Sequence, residues 1–540
     1  MNQSILRASL LLLLMATSTI RGAIYFVDDT SGNDLNSGLS SRTAWQTLAK
    51  VSSVTFQPGD KILLKSGGSW LGQMELKGSG TDANPIIVDS YGQGNRPFIN
   101  GDGYKAAVLL HSVSGWEVNS LEIINDTNTV RSGVETYRAG VLATTSSGYY
   151  SHIYLRNLVI HDIYPQSGPF GYGIHVEAAS KQGGAGFRNV RIQDNQISYT
   201  GYHGIFVRTT GDKSMFNTNI IISGNSCFHV GSAGMETGHC DGVLVENNVA
   251  TFSGAVVDSR QGIDGGDGFW CWYSRNVIVQ SNRFLSSRAP HDGCGVHVDF
   301  NCTNVVVQYN LSMDNEGGFV EILGNCSNAV YRYNLSINDG WRVKGVKGER
   351  QEGINITRQD GYLIWVSDYA GKGVPGIGSS DSKIYNNTIY VRPGMSNFFL
   401  ITPHSLNTSI QNNLFYICGH TVFADHGTNT VLQNNLWTGN LPMGLPTDSG
   451  GIFADPQFAQ AGGTNAADYL LSGTSPAIGA GVIIPNNGGH DYWGNPLSLG
   501  APCIGANQRD FSGSGRQRQA QRESSAQLSL TKHETFEAHK

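Results

Sequence analysis

Charge is scarce in this 540-residue chain: only 14% of residues are Asp, Glu, Lys or Arg, and 36 basic residues face 42 acidic ones, for a net charge of −6. That balance excludes a strongly basic nucleic-acid surface, and no Lys/Arg-rich run occurs ahead of the C-terminal tail. Long apolar runs are missing as well. The longest, SLLLLLMA behind Arg7, is too short to span a bilayer and reads as the core of a secretory signal over residues 1–23, cleaved near Ala23. The mature chain is therefore expected to be exported (periplasmic or extracellular), soluble and monomeric, with no membrane or nucleic-acid partner. None of the 8 Cys is spaced CxxC, which argues against a structural zinc site. Export permits disulfides, and Cys302 and Cys326 either bridge or stack.

What the chain has in quantity is Gly, 69 residues of it, with much Asn, Ser and Thr. This is the composition of a turn-rich all-β protein. Residues 276–326 contain two copies of one unit: a β-branched run ending in Asn, a polar connection, a Gly, an alternating run and an Asn-Cys corner. Superposing them sets Gly295 against Gly317, Val298 against Val320, Asp299 against Glu321, and Cys302 near Cys326. A β-rich unit in tandem predicts a solenoid, which grows in one dimension and escapes the usual domain-size ceiling.

From about residue 115 successive runs end at Asn157, Asn195, Asn225, Asn248, Asn282, Asn310, Asn334, Asn387, Asn413 and Asn435. Each Asn is expected at a bend, its amide bonding the equivalent amide one rung away. The step from Asn334 to Asn387 is twice the usual length, so it holds either a degraded rung or a long loop. Ahead of the repeat, residues 24–114 read as an N-terminal cap and first rungs, with TAWQTLAKV as a short helix plugging the open end. Residues 115–507 are the solenoid proper, and 508–540 are nearly devoid of apolar content and expected to be disordered.

These Asn-ended rungs resemble the right-handed parallel β-helix of the pectate-lyase-like superfamily. The opening VDDTSGNDLNSG and PGDKILLKSGGSW, and the closing FADPQF, DYLLSGTSPAIGAG and GHDYWGNPLSLGAPCIGA, are similar to exported β-helix proteins acting on polysaccharides. The resemblance covers residues 24–507 and implies an all-β, right-handed parallel β-helix with a short capping helix. It does not select a reaction, because one fold hosts lyases, hydrolases, esterases and adhesins.

The chemistry is sought on the runs that follow each Gly. Alternation sends Ile174, Val176, Ile205, Val207, Met235, Phe269, Cys271, Val296 and Val298 inward, with Thr237 the one polar member. One outward column reads His175, Phe206, Glu236, Trp270, His297, Phe319; the other reads Glu177, Arg208, Gly238, Trp272, Asp299, Glu321. Rungs repeat every ~4.8 Å, so these residues are expected to form an exposed wall of acids, imidazoles and indoles. Asp299 and Glu321 are the central catalytic candidates, with Asp267 and Glu236 next and His297 as orienter or proton relay. Trp270 and Trp272 offer flat faces to sugar rings, His175 and Glu177 line the same strip, and Arg208 and Lys344 are placed to hold an acidic sugar substituent. No metal is required, although Asp264, Asp267 and Asp292 could hold Ca²⁺.

The leading expectation is a glycoside hydrolase using a carboxylate pair. The alternative is a polysaccharide lyase, with a base from Arg342, Lys344, Lys347, Arg350 or a His and Ca²⁺ near the Asp cluster. A non-catalytic carbohydrate-binding solenoid is the third. The acids also have a bland reading as a solvated face, His203, His239 and His291 as turn residues, and the Gly-rich stretch 262–268 as a plain turn.

Overall fold

In the computed structural model the described residues are 22–129, 131–255, 265–289, 292–342, 361–497 and 500–508. Residues 1–21 of the expected signal segment, 509–540 of the expected tail, and Asp264, His291, Lys344, Lys347 and Arg350 lie outside them. The described chain winds through short strands that stack into three parallel sheets of 14, 14 and 13 strands. Each rung gives one strand to each sheet, and every strand pairs with its counterparts one rung before and after. The first such pairing sets Ile24–Val27 against Lys61–Lys65. The chain is a parallel β-helix, with inward Val, Ile, Leu and Phe forming one continuous narrow core.

The asparagine ladder is present. Asn310 donates to Val279 O (2.9 Å) and to Asn334 Oδ1 (3.0 Å), while its own Oδ1 accepts from the backbone N–H (2.9 Å) and the amide (3.0 Å) of Asn282. The same pattern runs from Asn195 to Asn435, where Asp448 Oδ2 receives the last amide at 2.9 Å. The bend itself belongs to the residue before each ladder Asn, whose φ is positive, from 50° at Tyr333 to 68° at Gly224. Asn157 does not join. It is one of these bend residues (φ 52°), and Leu158 holds the ladder position, sending its N–H to Asn195 Oδ1.

The long step between Asn334 and Asn387 is one rung, since Asn334 N donates directly to Asn387 Oδ1 (3.0 Å). The extra residues are insertions around the rung's third strand, Tyr362–Val366. The helix Leu48–Ser52, capped by the Thr47 hydroxyl, buries Leu48 and Val51 with Trp45 and Phe56 and so covers the core at the first rungs. At the other end the chain doubles back, packing Tyr469, Trp493 and Ala506 against Leu311, Leu335 and Tyr390 of the solenoid's flank.

All eight cysteines are free. Cys302 stacks on Cys271 (Sγ to Sγ 3.9 Å) and Cys326 Sγ donates to Asp299 O, so the corner thiols pack along the axis instead of bridging. Among the described residues no helix is long and apolar enough to cross a membrane.

Candidate active site

The candidate site lies on the 13-stranded sheet, where Met235–Gly238, Phe269–Trp272, Cys294–Val298, Gly318–Ile322 and Tyr362–Val366 are successive neighbours. Their register places Glu236, Trp270, His297, Glu321 and Trp365 in one column. Two expectations fail here. Glu321 stands opposite His297, not Asp299, and Val320 opposite Val296, not Val298. Phe319, expected outward, packs in the core edge-on against Tyr331. Because strand side chains alternate, the slip of two residues changes the neighbour of Glu321 and not its face, whereas Phe319 turns inward beside Gly318, whose φ is 147°.

The exposed wall is also corrected. Asp267, Glu236, His297, Asp299 and Glu321 are each at most 3% exposed, and His175 is fully buried. The two indoles, half-buried themselves, roof the acids. Trp270 lies flat on His297 (5.3 Å between centroids, 5° between planes) and donates Nε1 to Asp299 Oδ2 at 3.0 Å. Trp272 donates Nε1 to Glu236 Oε1 at 2.6 Å, its ring lying over Gly238, where a Cβ would come within 2.3 Å of Cζ2.

His297 is the hub. Its Nδ1 is 3.3 Å from Asp267 Oδ2, and its Nε2 is 3.9 Å from Asp299 Oδ1 and 3.8 Å from Glu321 Oε1. Neither His297 Nε2 nor Glu321 Oε1 has a hydrogen-bond partner, although both are buried. Asp292 joins Asp267 and His297 in a group whose polar atoms lie within 4.8 Å of one another. The loop that carries it is clamped by buried Arg342, which donates to Ala289 O and Asp292 O.

Burial dominates the electrostatics. It pushes the Asp299 carboxyl up to about 6, with His297 and the Phe300 N–H pulling the other way. Glu321 is pushed up to about 7 by the same cause against the same imidazole, and Glu236 to about 8 despite its bond from Trp272. Asp267 is likewise raised by burial. Burial alone would neutralise His297, but Glu321 and Asp267 overcome it and hold the ring well above the ordinary imidazole range. Carboxyls with separated protonation, around a retained imidazolium, are a set suited to acid–base work.

The other sequence candidates fall outside this hub. Arg208 is bound by Glu177 (2.7 Å) and lies over the Phe206 ring, so neither member of that pair is free for a substrate acid. His175 is two rungs from Glu236, stacked between Tyr172 and Phe206, with Nδ1 on the Tyr137 hydroxyl. His203 lies, as expected, in the turn between Gln196–Thr200 and Ile205–Gly211, and from there it sits 3.0 Å from Glu236 Oε2.

Cys294 was missed. Its N–H donates to Asp267 Oδ1 (2.6 Å) and its thiol to Glu321 Oε2 (2.8 Å). Alternation assigns it to the core with Val296 and Val298, and only its position at the leading edge of the strand lets the thiol reach the acids. Among the described residues, two trios could hold a metal: Asp267, Cys294 and Glu321, and Asp267, Asp292 and His297.

Residues 139–364 match the model of the right-handed β-helix region, which fixes the hand of the solenoid. No curated protein matches the chain in sequence. Among solved structures it is similar to a GH136 lacto-N-biosidase from Eubacterium ramulus, at 22% identity and a TM-score of 0.54, over 76% of this chain and 68% of that one. Pectate lyase Pel9A is matched at 15% identity and a TM-score of 0.41, over 91% of this chain and 97% of that one.

Proposed function

We propose that this right-handed β-helix is a carbohydrate-active enzyme, a glycoside hydrolase in which Asp299 is the ionised base or nucleophile and Glu321 the protonated acid. The observation that carries the reading is the pair's common approach to His297 Nε2, 3.9 Å for Asp299 and 3.8 Å for Glu321. Hydrolysis of a glycosidic bond needs one carboxyl to protonate the departing oxygen and another to act at the anomeric carbon. Here Glu321, raised to about 7 against about 6 for Asp299, keeps its proton at a pH where Asp299 has lost its own. With Glu321 protonated, the imidazolium is held by Asp267 and Asp292, and it stabilises ionised Asp299 through the pre-set charge of a dry site. Trp270 and Glu236 flank the pair, the first closing over His297 and the second supplying a further neutral acid. The solved lacto-N-biosidase with this fold is consistent with such chemistry.

The substrate class that fits is a neutral glycan. Five carboxyl groups converge here, while Arg208 is taken by Glu177 and Arg342 by backbone carbonyls. A uronate or sulfated chain would meet like charge with no uncommitted guanidinium among these two to receive it. The same point weighs against elimination on a uronate, which needs its carboxylate neutralised.

The test is product chemistry on a panel of neutral, uronic and sulfated glycans. New reducing ends from a neutral member, without ultraviolet absorbance, are expected. Unsaturated products from a uronate polymer would replace this reading with the lyase.

A further inference from the structure

At the leading edge of the site sheet Asp267, Cys294 and Glu321 bring two carboxylates and a thiol together, all buried, each with a ligand atom within 4.8 Å of the others. They already bond among themselves, through Cys294 N–H to Asp267 and Cys294 Sγ to Glu321 Oε2. A second observation points to something these bonds do not supply: Glu321 Oε1 is buried without a hydrogen-bond partner, which is unusual for a carboxyl oxygen in a folded interior. Around it, Asp267, Asp292, Asp299 and Glu321 gather about the imidazole of His297, and burial raises three of these four acids. Among the described residues, the acids about His297 outnumber the imidazole they share.

We propose that Asp267, Cys294 and Glu321 form a binding site for a thiophilic divalent cation of the zinc class. One sulfur and two carboxylate groups match the donors such an ion prefers, whereas a hard cation such as Ca²⁺ gains little from the thiol. On binding, Cys294 releases its proton to solvent, as does any protonated carboxyl of Glu321 or Asp267, a sulfur–metal bond forms, and Glu321 exchanges the thiol hydrogen bond for the metal. The occupied site removes Glu321 from acid duty, so zinc is an inhibitor. That last consequence rests on the proposed hydrolase reading; the binding itself does not.

The full chain is titrated with ZnCl₂ by calorimetry and with CdCl₂ by ultraviolet absorbance, which reports sulfur-to-metal charge transfer. One ion per chain and a saturable thiolate band are expected. Cys294→Ser, nearly isosteric, should lose the band and weaken zinc by more than about 100-fold, beyond the 10–100-fold typical of losing an outer-sphere partner. Asp267→Asn should weaken binding too, while Cys418→Ser, at a half-buried thiol elsewhere, should leave both signals unchanged. Circular dichroism checks that each variant is folded. No saturable binding by the wild type, or an unaltered isotherm in folded Cys294→Ser, overturns the site. Intact zinc binding in a protein that cleaves no glycan would overturn the hydrolase reading alone.

Discussion

Replacing Asp299 by Asn, or Glu321 by Gln, is expected to lower kcat/KM on the cleaved glycan by about 10²–10⁴-fold, the usual loss when a positioned acid or base is removed. Both substitutions keep shape and volume and remove only the ability to ionise. They act on different halves of the reaction. Asn at 299 cannot carry the negative charge that faces His297, and Gln at 321 cannot deliver a proton to the leaving oxygen. Because the two act as a unit, the double variant should cost little more than the worse single one. Glu246→Gln makes the control. That acid receives a hydrogen bond from Gln280 on another sheet and should leave kcat/KM within a factor of two to three, the scatter expected of a remote surface change. Near-normal turnover by Asp299→Asn with thermal stability intact would remove the pair from the mechanism.

Asn310→Ala carries the largest expected effect on stability, about 3–5 kcal/mol by denaturant unfolding, the range for breaking a buried hydrogen-bond network. The substitution deletes both amide donations and strips acceptors from the backbone and side chain of Asn282. The neighbours are fully buried and have no water to turn to. An outer ladder gives the contrast. Asn304 bonds Asn276 and Asn328 along the solvent face at positive φ. Asn304→Gly preserves that backbone conformation and should cost less than about 1 kcal/mol. Equal losses at the two sites would mean that the inner ladder is ornament to the core and not a spine.

The sequence made the solenoid legible because its determinants are local and repeated. A bend residue followed by Asn recurs from Asn195 to Asn435, and between bends the alternation of apolar side chains fixes the inner face. Asn157 shows the limit: a bend residue and a ladder residue are both Asn-rich, and only the amide's partner tells them apart. Site membership was readable, since parity alone sends Glu236, Trp270, His297, Asp299 and Glu321 outward. Their neighbour relations were not. A shift of 22 residues and one of 24 satisfy the same parity between the two copies, and only the Asn301–Asn325 and Cys302–Cys326 corners select 24. Burial was hidden for a different reason. Alternation separates core from non-core, but the roof over the non-core face comes from Trp270, Trp272 and strand-edge residues such as Cys294, whose reach depends on backbone path.

The claim at the centre is that Asp299 and Glu321, on neighbouring rungs, divide protonation around one imidazolium. The pH dependence of kcat/KM tests it most directly, because it reports the acid and base of the free enzyme. Activity requires Asp299 ionised and Glu321 protonated, so the rate should fall below about 6 as Asp299 takes up a proton and above about 7 as Glu321 loses one. A narrow bell between those limbs, with the alkaline limb absent from the residual activity of Glu321→Gln, is the predicted result. A rate that is level across pH 5–8, or an alkaline limb that survives in Glu321→Gln, would contradict it.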